Sequence, residues 1–391
     1  MTTNNKNIDK QGKKLLNVPN LRFPEFEGEW EECLLKDVAE ISKGTGISKD
    51  QLSETGHPCI LYGELYTKYK SEVISEVLSR TNIENSNLVQ SKSNDVIIPS
   101  SGETAIDIST ARCVPFSNIL LGGDLNIIRL KEHDGRFLSY QLNGVRKLEI
   151  AKIAQGVSVV HLYGESLKRL KIKLPSIQEQ NKISSLLNLI DERIATQNRI
   201  IEDLKQFRSA IRKHFFKKVQ LSNNSFVLQI KDVLDYEQPT KYIVNETEYS
   251  YDKSLTPVLT ANKAFILGYT SETDGIYSKG KCIILDDFTL DCKIVDFPFK
   301  VKSSAIKILT PKSEINLRFM YEYLKYLELD TTEHKRHYIA EIEPKEITVP
   351  KCGIENIANT FELIDNKIDI ATHTLFQYQL QKKYLLQQMF I

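Results

Sequence analysis

The chain has 391 residues, 41% apolar and 26% charged, which excludes a disordered or fibrous protein and makes two or more domains the expectation. Its 52 basic and 51 acidic residues leave a formal net charge of +1, without the basic excess of a stand-alone nucleic-acid binder. Six scattered cysteines (Cys33, Cys59, Cys113, Cys282, Cys292, Cys352) form no CxxC pair and read as reduced thiols of a cytoplasmic protein, and no apolar run reaches bilayer length.

The polar stretch Met1 to Lys14 resembles no secretory signal, and residues 1–16 are expected to be a flexible arm. A first globular head follows over 17–174, built of short β-branched runs broken by Gly, Asn and Ser, with one or two helices. Its polar loops offer Lys43 and Thr45, then Tyr62, Tyr66, Lys68, Tyr69 and Lys70, then Ser100, Ser101 and Thr104. Lysine neutralises phosphate, while Ser, Thr and Tyr position it, so these loops are candidates for polar recognition, with ordinary solvated surface as the plainer reading of each taken singly.

Residues 175–218 form a spacer helix, the one clearly basic stretch, with 9 basic and 5 acidic side chains. Its apolar seam climbs in steps of four and three through Ile183, Leu187, Ile190, Ile194, Gln197, Ile201, Leu204, Arg208, Ile211 and Phe215. A second mixed α/β head is expected over 219–349, with candidate contacts Lys241, Tyr242, Thr260, Asn262, Lys263, Tyr269, Lys300 and Lys302. Asparagine among them can pair bidentately with adenine.

Three strings in this head invite a catalytic reading. Residues 275–282 nearly spell a phosphate-binding loop, but Cys282 replaces the Ser/Thr that would hold magnesium, and the glycines precede a strand, so a turn is expected. Asp291 and Lys293, with Asp286 and Asp287 upstream, resemble a metal-dependent nuclease core. His334 to His337 has loose ligand spacing without a Cys or carboxylate framework, which favours solvated histidines. The chain also carries no Gly-rich strand-to-helix loop for S-adenosylmethionine and no adenine-methyltransferase tetrapeptide.

Residues 350–391 form a second spacer helix. Adding 174 to each first-helix rung gives Ile357, Phe361, Ile364, Ile368, Ala371, Leu375, Tyr378, Lys382, Leu385 and Met389, so phase, length and the cationic rung all recur. The heads repeat as well. Leu35-Lys36-Asp37-Val38 answers Ile230-Lys231-Asp232-Val233, residues 94–98 answer 280–284, and 126–130 with 136–138 answer 305–309 with 318–320. The offset falls from 195 to 174, which leaves the second head about twenty residues shorter. Matched seams favour mutual pairing, and the order head, helix, head, helix makes antiparallel pairing economical. A parallel pair would force one connection along about 48 Å of helix.

Three strings then point to a family. Pro19-Asn20-Leu21-Arg22-Phe23-Pro24-Glu25-Phe26, with Gly28-Glu29-Trp30-Glu31, resembles the opening of type I restriction-modification specificity subunits from Gram-positive bacteria. Leu174-Pro175-Ser176-Ile177-Gln178-Glu179-Gln180 is similar to the proline and Glu-Gln pair that begins their central helix, and Pro99-Ser100-Ser101-Gly102-Glu103-Thr104 is also typical. Cys352-Gly353-Ile354-Glu355-Asn356 departs from the pattern at the second helix. The resemblance implies two pseudo-symmetric α/β target recognition domains joined by two long antiparallel coiled-coil helices. It implies a non-catalytic subunit that reads one element of a bipartite double-stranded DNA site with each head and docks two methyltransferase subunits and the restriction/translocase subunits. It implies no catalytic, metal or cofactor-binding residue in this chain, with S-adenosylmethionine, ATP and Mg on the partners. The competing expectations are a non-enzymatic coiled-coil scaffold whose heads bind protein, and a nuclease using Asp291 and Lys293.

Overall fold

The computed structural model describes residues 17–84, 87–261, 264–312, 315–329 and 336–391, so the expected arm at 1–16 lies outside the described residues. The chain divides into two units, one running to Asn198 and including His373–Ile391, the other Arg199–Thr372. Each unit therefore holds one head, together with part of each long helix, Ile177–Gln220 and Ile354–Gln388.

In the first unit a four-stranded antiparallel sheet has the order Ala39–Lys43, Leu125–Leu130, Asp95–Pro99, Arg112–Val114. Asp95–Pro99 is buried along its whole length, as expected of an inner strand whose β-branched residues face protein on both sides. The helix Gly135–Asn143 packs on this sheet, and the Asp134 carboxylate caps it by accepting from the Arg136 N–H at 2.8 Å. A second, smaller sheet pairs His57–Ile60 in parallel with Leu120–Leu121. The head is closed by Glu31–Leu34 pairing with Lys171–Leu174, directly before the first long helix.

The second unit repeats this plan. Its sheet has the order Leu234–Glu237, Ile306–Pro311, Cys282–Asp286, Cys292–Val295, again antiparallel. Leu317–Tyr326 takes the place of the first head's helix, capped by the Asn316 side chain, which accepts from the Arg318 and Phe319 N–H groups. Thr256–Leu259 pairs in parallel with Lys300–Val301, and Ser225–Gln229 pairs with Glu346–Pro350 at the foot of the second long helix. Each string that repeats in the sequence thus folds into the same kind of element.

The heptad seams are the least exposed faces of the helices. Ile183, Leu187, Ile190, Ile201, Phe361, Ile364, Leu385 and Met389 are buried, and Ile194, Leu204, Ile211, Phe215, Ile357, Ile368, Leu375 and Tyr378 half-buried. Within the first unit, Ile183, Leu187 and Ile190 share one core with Leu385 and Met389, while Asp191 meets Lys382. Within the second, Arg208 meets Asp365, and Phe215 and Phe216 share a core with Ile354 and Ile357. In both units the residue numbers run in opposite senses along the pair, so the helices pack antiparallel. No helix among the described residues is long and apolar enough to cross a membrane.

Candidate nucleic-acid interface

Two of the loops singled out in the first head meet. A Cβ on Gly63 or on Gly102 would lie 3.7 Å from the Tyr66 hydroxyl, so this one tyrosine spans the 62–70 and 100–104 loops. Burial raises its phenol pKa, which keeps the hydroxyl protonated as a donor. Lys43 is exposed at the end of its strand, and Tyr62 is half-buried. Exposed Lys70 donates to the Thr67 carbonyl at 2.9 Å. Thr104 caps the short helix Ala105–Ile108, its hydroxyl accepting from the Asp107 N–H at 3.1 Å. Thr45 accepts from the Val89 N–H at 2.9 Å, and Lys68 is drawn to Glu64 at 2.6 Å.

Other candidates turn inward. Tyr69, Ser100 and Ser101 are buried in the first head, and Tyr242, Thr260 and Lys300 in the second, so little of their side chains is exposed. The Tyr69 hydroxyl accepts from the Leu78 N–H, and burial pushes its pKa to about 12. Tyr242 donates to Glu237 at 2.8 Å. Lys300 donates to the Asp274 carbonyl at 2.7 Å and pairs with Glu272 at 2.9 Å, bracing the loop beside it. Lys241 and Lys302 remain exposed and Tyr269 half-buried, while Asn262 and Lys263 lie outside the described residues.

The strings that suggested catalysis are occupied by structure. Gly275 and Gly280 adopt φ of +60° and +97° in two bends, with Tyr277 bridged to Phe299 between them, ahead of the strand Cys282–Asp286. Asp286 accepts from the Phe288 and Thr289 N–H groups. Asp287 accepts from the backbone of His337 and Tyr338 and pairs with buried Lys307 at 3.2 Å, and Asp291 faces Lys325 at 3.7 Å. These carboxylates do not converge on a metal position, and the described residues contain no group of three or more His, Cys, Asp or Glu placed to hold one. His337 is buried against Glu341 at 2.9 Å, contrary to the expectation of a solvated histidine, while His334 and Lys335 lie outside the described residues. All six cysteines are unpaired.

Two of the motifs that carried the resemblance hold the first head to its helix. Glu179 is buried and receives the Arg22 guanidinium through two bonds of 2.8 Å, with the Trp30 indole N–H at 3.4 Å. Gln180 is buried beside it, accepting from the Asp134 N–H at 3.1 Å and donating to the Pro175 carbonyl at 2.8 Å. The opening segment, the helix cap and the Glu-Gln pair therefore interlock. At the second helix Gly353, with φ +85°, precedes Ile354, and Glu355 accepts from the Asn316 side chain at 3.0 Å.

The cationic rungs are built into charge clusters that the sequence did not foretell. Lys382 pairs with Asp191 and Glu72, each at 2.5 Å, and the Tyr140 hydroxyl donates to Asp191 at 2.7 Å. Burial pushes the Asp191 carboxyl up to about 6, with the Glu72 charge adding to the rise and Lys382 and the Tyr140 hydroxyl opposing it. Burial alone would lower the Lys382 ammonium, but Glu72 and Asp191 outweigh it and hold the pKa above its ordinary value. On the equivalent rung Arg208 pairs with buried Glu322 at 2.5 Å and Asp365 at 2.7 Å, and Arg212 and Arg318 join the same Glu322.

Residues 27–206 match the family model for the type I restriction modification DNA specificity domain. The chain is 46% identical over 129 residues to the type I restriction enzyme EcoR124I/EcoR124II specificity subunit of Escherichia coli, spanning 32% of each chain. It is 24% identical over 233 residues to the type I restriction enzyme MjaVIII specificity subunit of Methanocaldococcus jannaschii, covering 56% of this chain and 51% of that relative. The match thus spans 32% and 51% of the lengths of these two relatives. A crystal structure of a type I restriction-modification S subunit from M. genitalium shares the fold at a TM-score of 0.66 and 17% identity, covering 96% of this chain and 99% of that one.

Proposed function

We propose that this chain, a member of the type I restriction-modification specificity family through residues 27–206, reads a bipartite double-stranded DNA site with its two heads. The observation that carries this reading is duplication: each unit holds the same four-stranded sheet order. In the first head the contacts fall to Lys43, Thr45, Tyr62, Tyr66, Lys68, Lys70 and Thr104, and in the second to Lys241, Tyr269 and Lys302. Because the loops of the two heads differ, the two elements differ and the whole site need not be palindromic. The chain itself catalyses nothing.

A formal net charge of +1 is small for a protein that holds DNA alone, so the neutralisation of phosphate is shared with partners. Two methyltransferase subunits dock on the chain and carry S-adenosylmethionine. The restriction/translocase subunits join through them with ATP and Mg, and the assembly works in the cytoplasm. The long helices set the distance between the recognised elements, a role suited to a seam that holds one register.

Selection from random-sequence duplexes by the full chain with its methyltransferase subunits tests the reading. Two short fixed elements at constant spacing are expected, with affinity falling steeply as salt rises. Enrichment of no sequence, with salt-insensitive retention, would mark the heads as protein-binding modules instead.

A further inference from the structure

The strand Arg112–Val114 begins on a side chain that loop composition alone gave no reason to notice. Arg112 is 7% exposed, and its guanidinium donates to two main-chain carbonyls of one loop, Nε to Leu65 at 3.0 Å and Nη2 to Tyr69 at 2.8 Å. Burial pulls its pKa below the ordinary arginine value, against the more distant pull of Glu72 and Asp191. Burying a guanidinium is unfavourable unless its donors are used, and these two serve the Leu65 carbonyl within the short helix Glu64–Thr67 and the Tyr69 carbonyl just past its cap. Arginine's planar fork can serve two such acceptors at once, which a lysine ammonium does less directionally.

The loop's other end is fixed as firmly. Buried Glu64 accepts from the Leu61 N–H at 3.0 Å and from Lys68 at 2.6 Å, and receives the Ser79 hydroxyl as well. Between these anchors Tyr66 is half-buried, as is Tyr62 just before them, and Lys70 just past them is exposed. The second head uses a different brace, Lys300 on the Asp274 carbonyl and Glu272. Whatever Arg112 controls belongs to the first head.

We propose that Arg112 is a positioning residue for sequence reading by the first head. By holding the Leu65 and Tyr69 carbonyls it fixes the pose of the 62–70 loop, so the bases demanded in one element depend on a side chain that touches no DNA. This rests on the reading of the chain as a two-element DNA reader. Reading by hydrogen bonds tolerates little displacement, and a loop free to shift loses discrimination before it loses phosphate attraction.

The test is duplex selection by the full chain with its methyltransferase subunits, comparing wild type, R112K and R112Q, with thermal midpoints recorded. Lysine keeps the charge and a single donor centre, so R112K guards against a fold failure in R112Q. In R112K, discrimination against single-base changes in one element should fall about tenfold. The other element and the salt dependence should stay as in wild type, since no phosphate contact is removed. Unchanged discrimination in R112K and R112Q overturns the proposal. So does a parallel loss at both elements with a lowered midpoint, the signature of a merely structural arginine. If the wild type selects no two-element site, the underlying reading falls and takes this inference with it, which separates the two failures.

Discussion

Arg208 and Lys382 stand on the same rung of their helices, yet they meet different surroundings. Glu322, on a helix, serves the first, and Glu72, on a loop, serves the second. The recurrence of the cation was visible in the sequence, but its partners were not, because they come from unlike elements far away in the chain. Burial was equally hidden. Tyr242, Thr260 and Lys300 have the same residue types as exposed loop side chains, and composition gives no sign of which way they face. The Asp191 cluster makes a pH prediction. Its folded carboxyl titrates near 6, whereas an unfolded Asp titrates about two units lower, so the folded state binds the extra proton first. That stabilisation is complete below the ordinary Asp value and is lost as pH rises through about 6. Urea melts should show wild type gaining about 1 kcal/mol relative to D191N between pH 7 and pH 5. An equal pH response in the two proteins would remove Asp191 from the titration.

At the scale of elements, the helices were the most legible part, since a step of four and three holds for ten rungs in each. The strands were legible in pairs, because a string met twice can be checked against its copy. Sheet order was not legible, since hydrogen-bonded neighbours such as Ala39–Lys43 and Leu125–Leu130 are separated by most of a head. The seam makes a sharp contrast on one helix. Phe361 is 0% exposed, while Leu363, two residues on, is 64% exposed. Phe361→Ala should cost about 3–5 kcal/mol in chemical denaturation of the chain, and Leu363→Ala less than about 0.5 kcal/mol. Comparable losses for both would mean that the seam is not the packed face.

At the scale of the whole molecule, one plan is written twice, and this repetition made head, helix, head, helix readable before any coordinates. What it could not supply was the interlock of Arg22 and Trp30 with Glu179, which fixes the first head to its own helix through residues 149 or more positions apart. The loops were readable as polar surface but not as a site; the packing of Tyr66 near Gly63 and Gly102 joins two of them. The central claim is that the heads read two DNA elements whose separation the helices set. It is tested most directly by genome-wide mapping of methyladenine in cells that carry the partner subunits. The mapping compares the intact chain, no chain, and a chain shortened by one heptad in each long helix. The account predicts a bipartite motif that disappears without the chain. In the shortened chain the same two halves should stand about three base pairs closer, since seven residues of helix span roughly 10 Å. A motif that persists without the chain, or a changed half at constant spacing, would contradict it.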